Sequence, residues 1–199
     1  MAAHTESFLE IIPDDYCSPL DLRAVFPGDS PLEVDVGSGD GSFLVAMAKR
    51  SPERRFIGIE RLIGRVRRTC RRAERQGVSN IRLLRLESSY ALRYLFPPES
   101  VQVFHICFPD PWPKRRHWPR RLIQPEFLQA VHAALAPGGE LRVKTDDAPY
   151  FRHMREVFNA QTALREVEWD IPPDYPVTDF EALFLGKGLP VYRARLVKD

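Results

Sequence analysis

The chain has 199 residues, 44% of them hydrophobic and 28% charged, with a net charge of only +2. This is an ordinary globular composition, long enough to bury one sizeable core, and no apolar run approaches the roughly 18 residues of a membrane helix. The opening MAAHTESFLEIIPDD carries acids where a secretory signal needs basic and then apolar residues, so a cytoplasmic setting is expected.

In chain order, residues 1–30 read as an irregular lead with one short helix. From residue 32 onward β-type runs alternate with helical periodicity. The strands are LEVDV (32–36), RFIGIE (55–60), IRLLRL (81–86), VQVFHICF (101–108) and ELRVKT (140–145). Between them lie SFLVAMAKR, RVRRTCRRAERQG, SYALRYL and PEFLQAVHAAL, with helix stops at Gly77 and at Pro137-Gly138-Gly139. APYFRHMREVFNA reads as a further helix, and ALREVEWD and VYRARLVKD as two closing strands at a sheet edge. IPPDYPVTDFEALFLGKG between those strands reads as a long functional loop. The pattern predicts an α/β fold: a Rossmann-like, mostly parallel sheet of about seven strands, an antiparallel C-terminal edge, and helices on both faces.

The three cysteines and five histidines show no metal-ligand spacing, so no metal is expected. Charge is segregated. Residues 61–75 hold seven arginines against one glutamate, a local +6, and residues 114–121 hold a further five cations. Such clusters on a near-neutral chain are the footprint of a polyanion partner.

The glycine loop VDVGSGDGS follows the first long strand, with glycines at 37, 39 and 41. This is not the spacing of a dinucleotide loop. Asp35 and Asp40 would repel a pyrophosphate but suit a cationic ligand, which favours S-adenosylmethionine over NAD. Glu60, ending the next strand, is placed for ribose hydroxyls, and Glu87, after the third, for an adenine amino group. The fourth strand delivers FPDPWPKRRHWPRR (108–121) to the same sheet edge. There Asp110 is placed to face a base. Trp112 is placed to stack on that base; in the alternative, Trp112 and Trp118 both pack beneath the loop. His105 and His117 are assigned to hydrogen bonding and packing rather than to acid–base chemistry.

These residues closely resemble the bacterial tRNA (guanine-N7)-methyltransferase family. The resemblance rests on D-V-G-S-G-D-G at 35–41, G-I-E at 58–60, F-P-D-P-W-P-K-R-R-H at 108–117, R-R-L at 120–122, T-D-D-A-P-Y at 145–150 and T-D-F-E at 178–181. It runs from about residue 32 to the C-terminus and implies one methyltransferase domain over 1–199 with the class I S-adenosylmethionine-dependent fold. It further implies Asp35, Gly37, Gly39, Gly41, Glu60, Glu87 and Asp110 at the cofactor, with Asp110 also catalytic. Lys114, Asp146, Thr178, Asp179, Phe180 and Glu181 fall at substrate positions, and Arg115, Arg116, His117, Arg120 and Arg121 in the RNA-contacting stretch. An N-cap role for Thr178 with Glu181 is the alternative for that pair. The implied acceptor is the guanine at position 46 of the tRNA variable loop. The implied assembly is a monomer or homodimer, with no membrane partner. The chain departs from the commoner family pattern by an Asp/Glu exchange at Asp35 and Glu87, by Asp179 in place of a basic residue, and by Leu183 in place of arginine. Those last two leave as alternatives another RNA base, a small-molecule acceptor, or a silent RNA-binding relative.

Overall fold

The structure, a computed structural model, describes residues 9–199. Eight strands form one sheet: β1 (Glu10–Ile11), β2 (Leu32–Val36), β3 (Arg55–Ile59), β4 (Ile81–Leu84), β5 (Val101–Cys107), β6 (Leu135–Thr145), β7 (Leu164–Val167) and β8 (Tyr192–Lys198). Their spatial order is β1-β4-β3-β2-β5-β6-β8-β7. The first six in that order run parallel; β8 is antiparallel to β6, and β7 to β8. The expected architecture holds, with one strand more than foreseen. The extra strand is two-residue β1, which lies on the edge of β4 and is too short to show a period in the sequence.

Among the described residues seven α-helices connect the strands: α1 (Leu22–Val25), α2 (Ser42–Arg50), α3 (Ile63–Gln76), α4 (Ser88–Tyr94), α5 (Pro125–Ala134), α6 (Ala148–Asn159) and α7 (Asp179–Gly186). The apolar residues of α4, α5 and α6 bury one sheet face, with Leu92, Leu128, Val131 and Met154 at its centre. Helices α2 and α3 cover the β3–β4 half of the other face through Leu44, Met47, Val66 and Ala73. Over β6 and β8 that side is covered by the C-terminal segment rather than by α2 and α3. The outward residues there are Arg142 and Lys144 on β6 and Arg195 on β8, and the segment 168–178 crosses them, setting the rings of Trp169 and Tyr175 over Arg142 and Lys144 at 4.9–5.9 Å.

Two boundaries differ from the sequence reading. α5 ends at Ala134, and Pro137-Gly138-Gly139 lies inside β6, because Leu135 already pairs with Val101. The long segment before β8 is no plain loop: it contains α7, which Thr178 caps by accepting a hydrogen bond from the Glu181 N–H at 3.0 Å. Among the described residues no helix is long and apolar enough to cross a membrane.

Candidate functional site

In the sheet order, the chain leaves β2 toward β3 on one side and later returns to β5 on the other. Open α/β sheets bind ligands at such a switch point, outside the carboxyl ends of the strands. Here that place is an open cleft of about 640 Å³, whose lining includes Gly37, Glu60, Glu87, Asp110, Trp112 and Arg120.

Of the glycine loop, Gly37 lines the cleft, and Gly39 and Gly41 lie outside its lining. Gly41 has φ +76°, and a Cβ there would meet the Thr69 methyl at 2.2 Å, so only glycine lets α2 start against α3. Gly37 also has positive φ, but a Cβ there would meet nothing within 4 Å, leaving its backbone facing open space. Just beneath lies Asp35, 4% exposed and without a hydrogen-bond partner among the described residues. Burial, then the charge of Glu60, pushes its carboxyl up to about 7. Glu60 is also buried; it accepts from the Gly39 N–H (3.2 Å) and the Leu62 N–H (2.9 Å), and Arg65 lies 3.5 Å away. Each of its oxygens keeps a lone pair for a ligand hydroxyl. Glu87 caps α4 through the Ser89 and Tyr90 N–H groups at 3.0 and 2.8 Å. The buried Ser38 hydroxyl, in the same loop, has no hydrogen-bond partner among the described residues. A lone buried carboxylate seeking a cation, a second carboxylate with spare acceptor capacity and a bare glycine backbone suit a ligand with an ammonium group and vicinal hydroxyls.

Asp40 behaves differently from expectation. Arg72 of α3 pairs with it at 2.7 Å, and Asp40 also accepts from the Ser42 N–H. Its charge is therefore neutralised within the chain, and the discrimination against phosphate falls on Asp35 and Glu60.

The fourth strand's extension forms the opposite wall. Phe108 and Trp112, on either side of Asp110, have φ of 54° and 44°. Holding bulky residues in the left-handed region costs about 1–3 kcal/mol each, a strain that clusters at functional sites. Asp110 between them is exposed to the cleft. Trp112 lines the cleft with the Arg120 guanidinium 5.1 Å from its ring and His117 edge-on at 5.6 Å. Trp118 instead packs underneath, its indole N–H buried and without a hydrogen-bond partner among the described residues.

Of the cations in 114–121, Lys114, Arg115, Arg116 and Arg120 are exposed. Arg121 is not: it is 3% exposed, donates to the Pro111 carbonyl at 2.9 Å, and lies 4.6 and 4.8 Å from the rings of Trp118 and Tyr150. The expected phosphate contact at Arg121 thus gives way to a clamp that ties the Pro111 turn to α6, because two ring faces and a carbonyl hold the guanidinium inside.

The C-terminal motif divides the same way. Asp179 and Phe180 are exposed, and Phe180 and Phe184 pack against Phe108 at 6.2 and 5.7 Å. Glu181 is buried and its carboxylate is taken by Lys144 (2.6 Å) and Arg193 (2.9 Å). Asp146 is exposed at the end of β6, outside the lining of the cleft. The sequence reading missed Arg61, Arg65 and Arg93 on the cleft rim; the first two follow the end of β3 directly, which was the available signal. His105 is buried, as assigned: Nε2 lies 2.7 Å from Glu33 and Nδ1 3.0 Å from the Tyr175 hydroxyl. Burial holds its pKa below the usual value, against the pull of Glu33, so the neutral ring donates to Glu33 and accepts from Tyr175.

The sheet and helices are similar to those of the 30S ribosomal A1408 methyltransferase from an uncultured bacterium, with a TM-score of 0.60, 15% identity, and 90% of this chain and 93% of that chain covered. They are also similar to the antibiotic-resistance methyltransferase Kmr, with a TM-score of 0.58, 20% identity and coverages of 90% and 92%. A family model described as a putative methyltransferase matches residues 29–194. Among individual relatives, the tRNA (guanine-N(7)-)-methyltransferase of Syntrophotalea carbinolica is 34% identical over 90% of this chain and 79% of its own length. That of Aeromonas hydrophila is 38% identical over 82% and 71%. With a family model spanning most of the described residues and relatives of one name aligned along most of their own length, the chain belongs to the tRNA (guanine-N(7)-)-methyltransferase family.

Proposed function

We propose that this protein transfers a methyl group from S-adenosylmethionine to N7 of the guanine at position 46 in the tRNA variable loop. The observation that carries the reading is the convergence of Glu60, Glu87 and Asp110 on one cleft at the carboxyl ends of adjacent strands, with Asp35 buried at the end of the strand between them. Asp35 holds the cofactor's ammonium and Glu60 its ribose hydroxyls, while Gly37 and Gly39 let it approach the backbone. The bound cofactor supplies a methyl group on a sulfonium, already activated for transfer.

Guanine N7 is an unprotonated lone pair, so its methylation requires no general base. It requires the acceptor in line with the methyl group, and a field that tolerates positive charge moving onto the purine. Asp110, held by prolines on both sides and presented to the cleft, accepts hydrogen bonds from the guanine N1–H and amino group. It thereby orients N7 and stabilises the cationic product. Trp112 offers a ring for the base. Arg120, with Lys114, Arg115, Arg116 and His117, holds the flanking backbone, and Asp179, Phe180 and Asp146 bound the substrate from the C-terminal side. Thr178 and Glu181 shape that side from within, by capping α7 and fixing it to Lys144 and Arg193. A single domain, working in the cytoplasm as a monomer or homodimer, suffices for this chemistry.

One assay tests both target and residue role. An unmodified tRNA transcript with guanine at position 46 accepts label from S-adenosylmethionine, and its adenine-46 counterpart does not. Asp110→Asn, which keeps the shape and loses the charge, lowers transfer to the first transcript by about 100-fold, the scale of losing one preorganised electrostatic group, with cofactor affinity retained. Equal acceptance by the two transcripts overturns the target, and near-full activity of Asp110→Asn overturns its role.

A further inference from the structure

The arginines of α3 lie outside the machinery assigned above. Two of the seven in 61–75 turn toward the glycine loop: Arg65 lies 3.5 Å from Glu60, and Arg72 pairs with Asp40 at 2.7 Å. Arg67, Arg68, Arg71 and Arg75 are exposed and have no ion pair among the described residues. Some exposed arginines elsewhere find carboxylates, as Arg50 does with Asp174, Arg85 with Glu10 and Arg165 with Asp199, whereas α3 gathers four unpaired ones on a single helix. The helix buries Val66, Thr69, Cys70 and Ala73. At 100° per residue, Arg68, Arg71 and Arg75 therefore fall within one narrow stripe opposite that face, with Arg67 beside it.

This arrangement works against the helix itself. Arg67 with Arg71, and Arg71 with Arg75, are like charges four residues apart, a spacing that destabilises an isolated helix. Charges that are costly in the folded chain and unmatched within it are the mark of an external polyanion. Geometry links them to the cleft. α3 begins three residues after Glu60, so its N-terminal end stands on the cleft rim with Arg61 and Arg65. Its 14 residues then run roughly 20 Å away at a rise of about 1.5 Å per residue.

We infer that the outer face of α3, through Arg67, Arg68, Arg71 and Arg75, is a second docking surface for the tRNA phosphate backbone. It holds RNA lying beyond the target nucleotide, on the side of the cleft away from Arg120. The inference rests on the tRNA substrate proposed above. Contacts of this kind add affinity and steer association without reading sequence.

The test compares the full chain with two quadruple variants at Arg67, Arg68, Arg71 and Arg75, one all Gln and one all Lys. Both replacements are good helix formers, so folding, checked by thermal melting, is retained. Binding to unmodified tRNA is followed against salt. The Gln variant binds roughly tenfold or more weakly at moderate salt, and the slope of log K against log salt shrinks by about 2 or more, near 0.9 per lost duplex phosphate contact. Its KM for tRNA rises while its affinity for S-adenosylmethionine is unchanged. The Lys variant, which keeps the point charges, stays close to wild type. A Gln variant with the wild-type slope and KM overturns the α3 surface and leaves the proposed function standing. A wild-type chain without salt-dependent tRNA binding overturns both.

Discussion

Asp35 shows how one buried group ties stability to ligand binding. Its carboxyl is raised to about 7 by burial and then by Glu60, so the folded protein holds this proton far more tightly than the unfolded chain does. A group raised in this way contributes stability below its unfolded value and loses it as pH climbs through the folded one. Without ligand, the protein is therefore less stable at pH 8 than at pH 5 on Asp35's account. A cationic ligand reverses the preference by favouring the carboxylate. Affinity for S-adenosylmethionine is expected to rise about tenfold per unit as pH approaches 7 from below, then level off, with uptake of ligand releasing a proton near neutrality. Calorimetry from pH 5.5 to 8.5 reads this directly. A flat profile would show that Asp35 does not hold the ammonium.

At the scale of elements, the two adjacent arginines at the end of the 108–121 stretch separate function from support. Arg120 is exposed over Trp112, whereas Arg121 is sealed between Trp118 and Tyr150. Arg120→Gln should reduce the salt slope of tRNA binding by about 1 and leave melting unchanged. Arg121→Gln should lower stability by about 2 kcal/mol or more, since it removes a charged hydrogen bond and its packing from the interior. Matching salt slopes for the two variants would contradict the division. The segment 168–186 makes a related point. It covers β6 and β8, and it is fixed from below by Lys144 and Arg193 on Glu181 and by Tyr175 on His105. It thus carries Phe180 and Phe184 of α7 against Phe108, which lines the cleft.

Across the whole molecule, what was legible in the sequence were features written in neighbouring residues. LEVDV and SFLVAMAKR became β2 and α2 to the residue, because an apolar run, a glycine loop and a helical period adjoin there. The carboxyl ends of the strands located the cleft acids for the same reason. Pairings between distant residues left no local trace. Asp40 with Arg72, Lys144 with Glu181 and Arg121 with Tyr150 are brought together only by the completed sheet and its layers. Each changed the reading of a charge that looked available in the sequence. The result is a cleft whose inner charges are matched or held for ligand and whose outer arginines on α3 and 115–120 face solvent on opposite rims. Whether the acceptor is N7 of a guanine in tRNA is read by incubating the protein with labelled S-adenosylmethionine and unmodified tRNA and digesting the product to nucleosides. Label is expected in 7-methylguanosine; label in any other nucleoside, or none in the RNA, would rule that acceptor out.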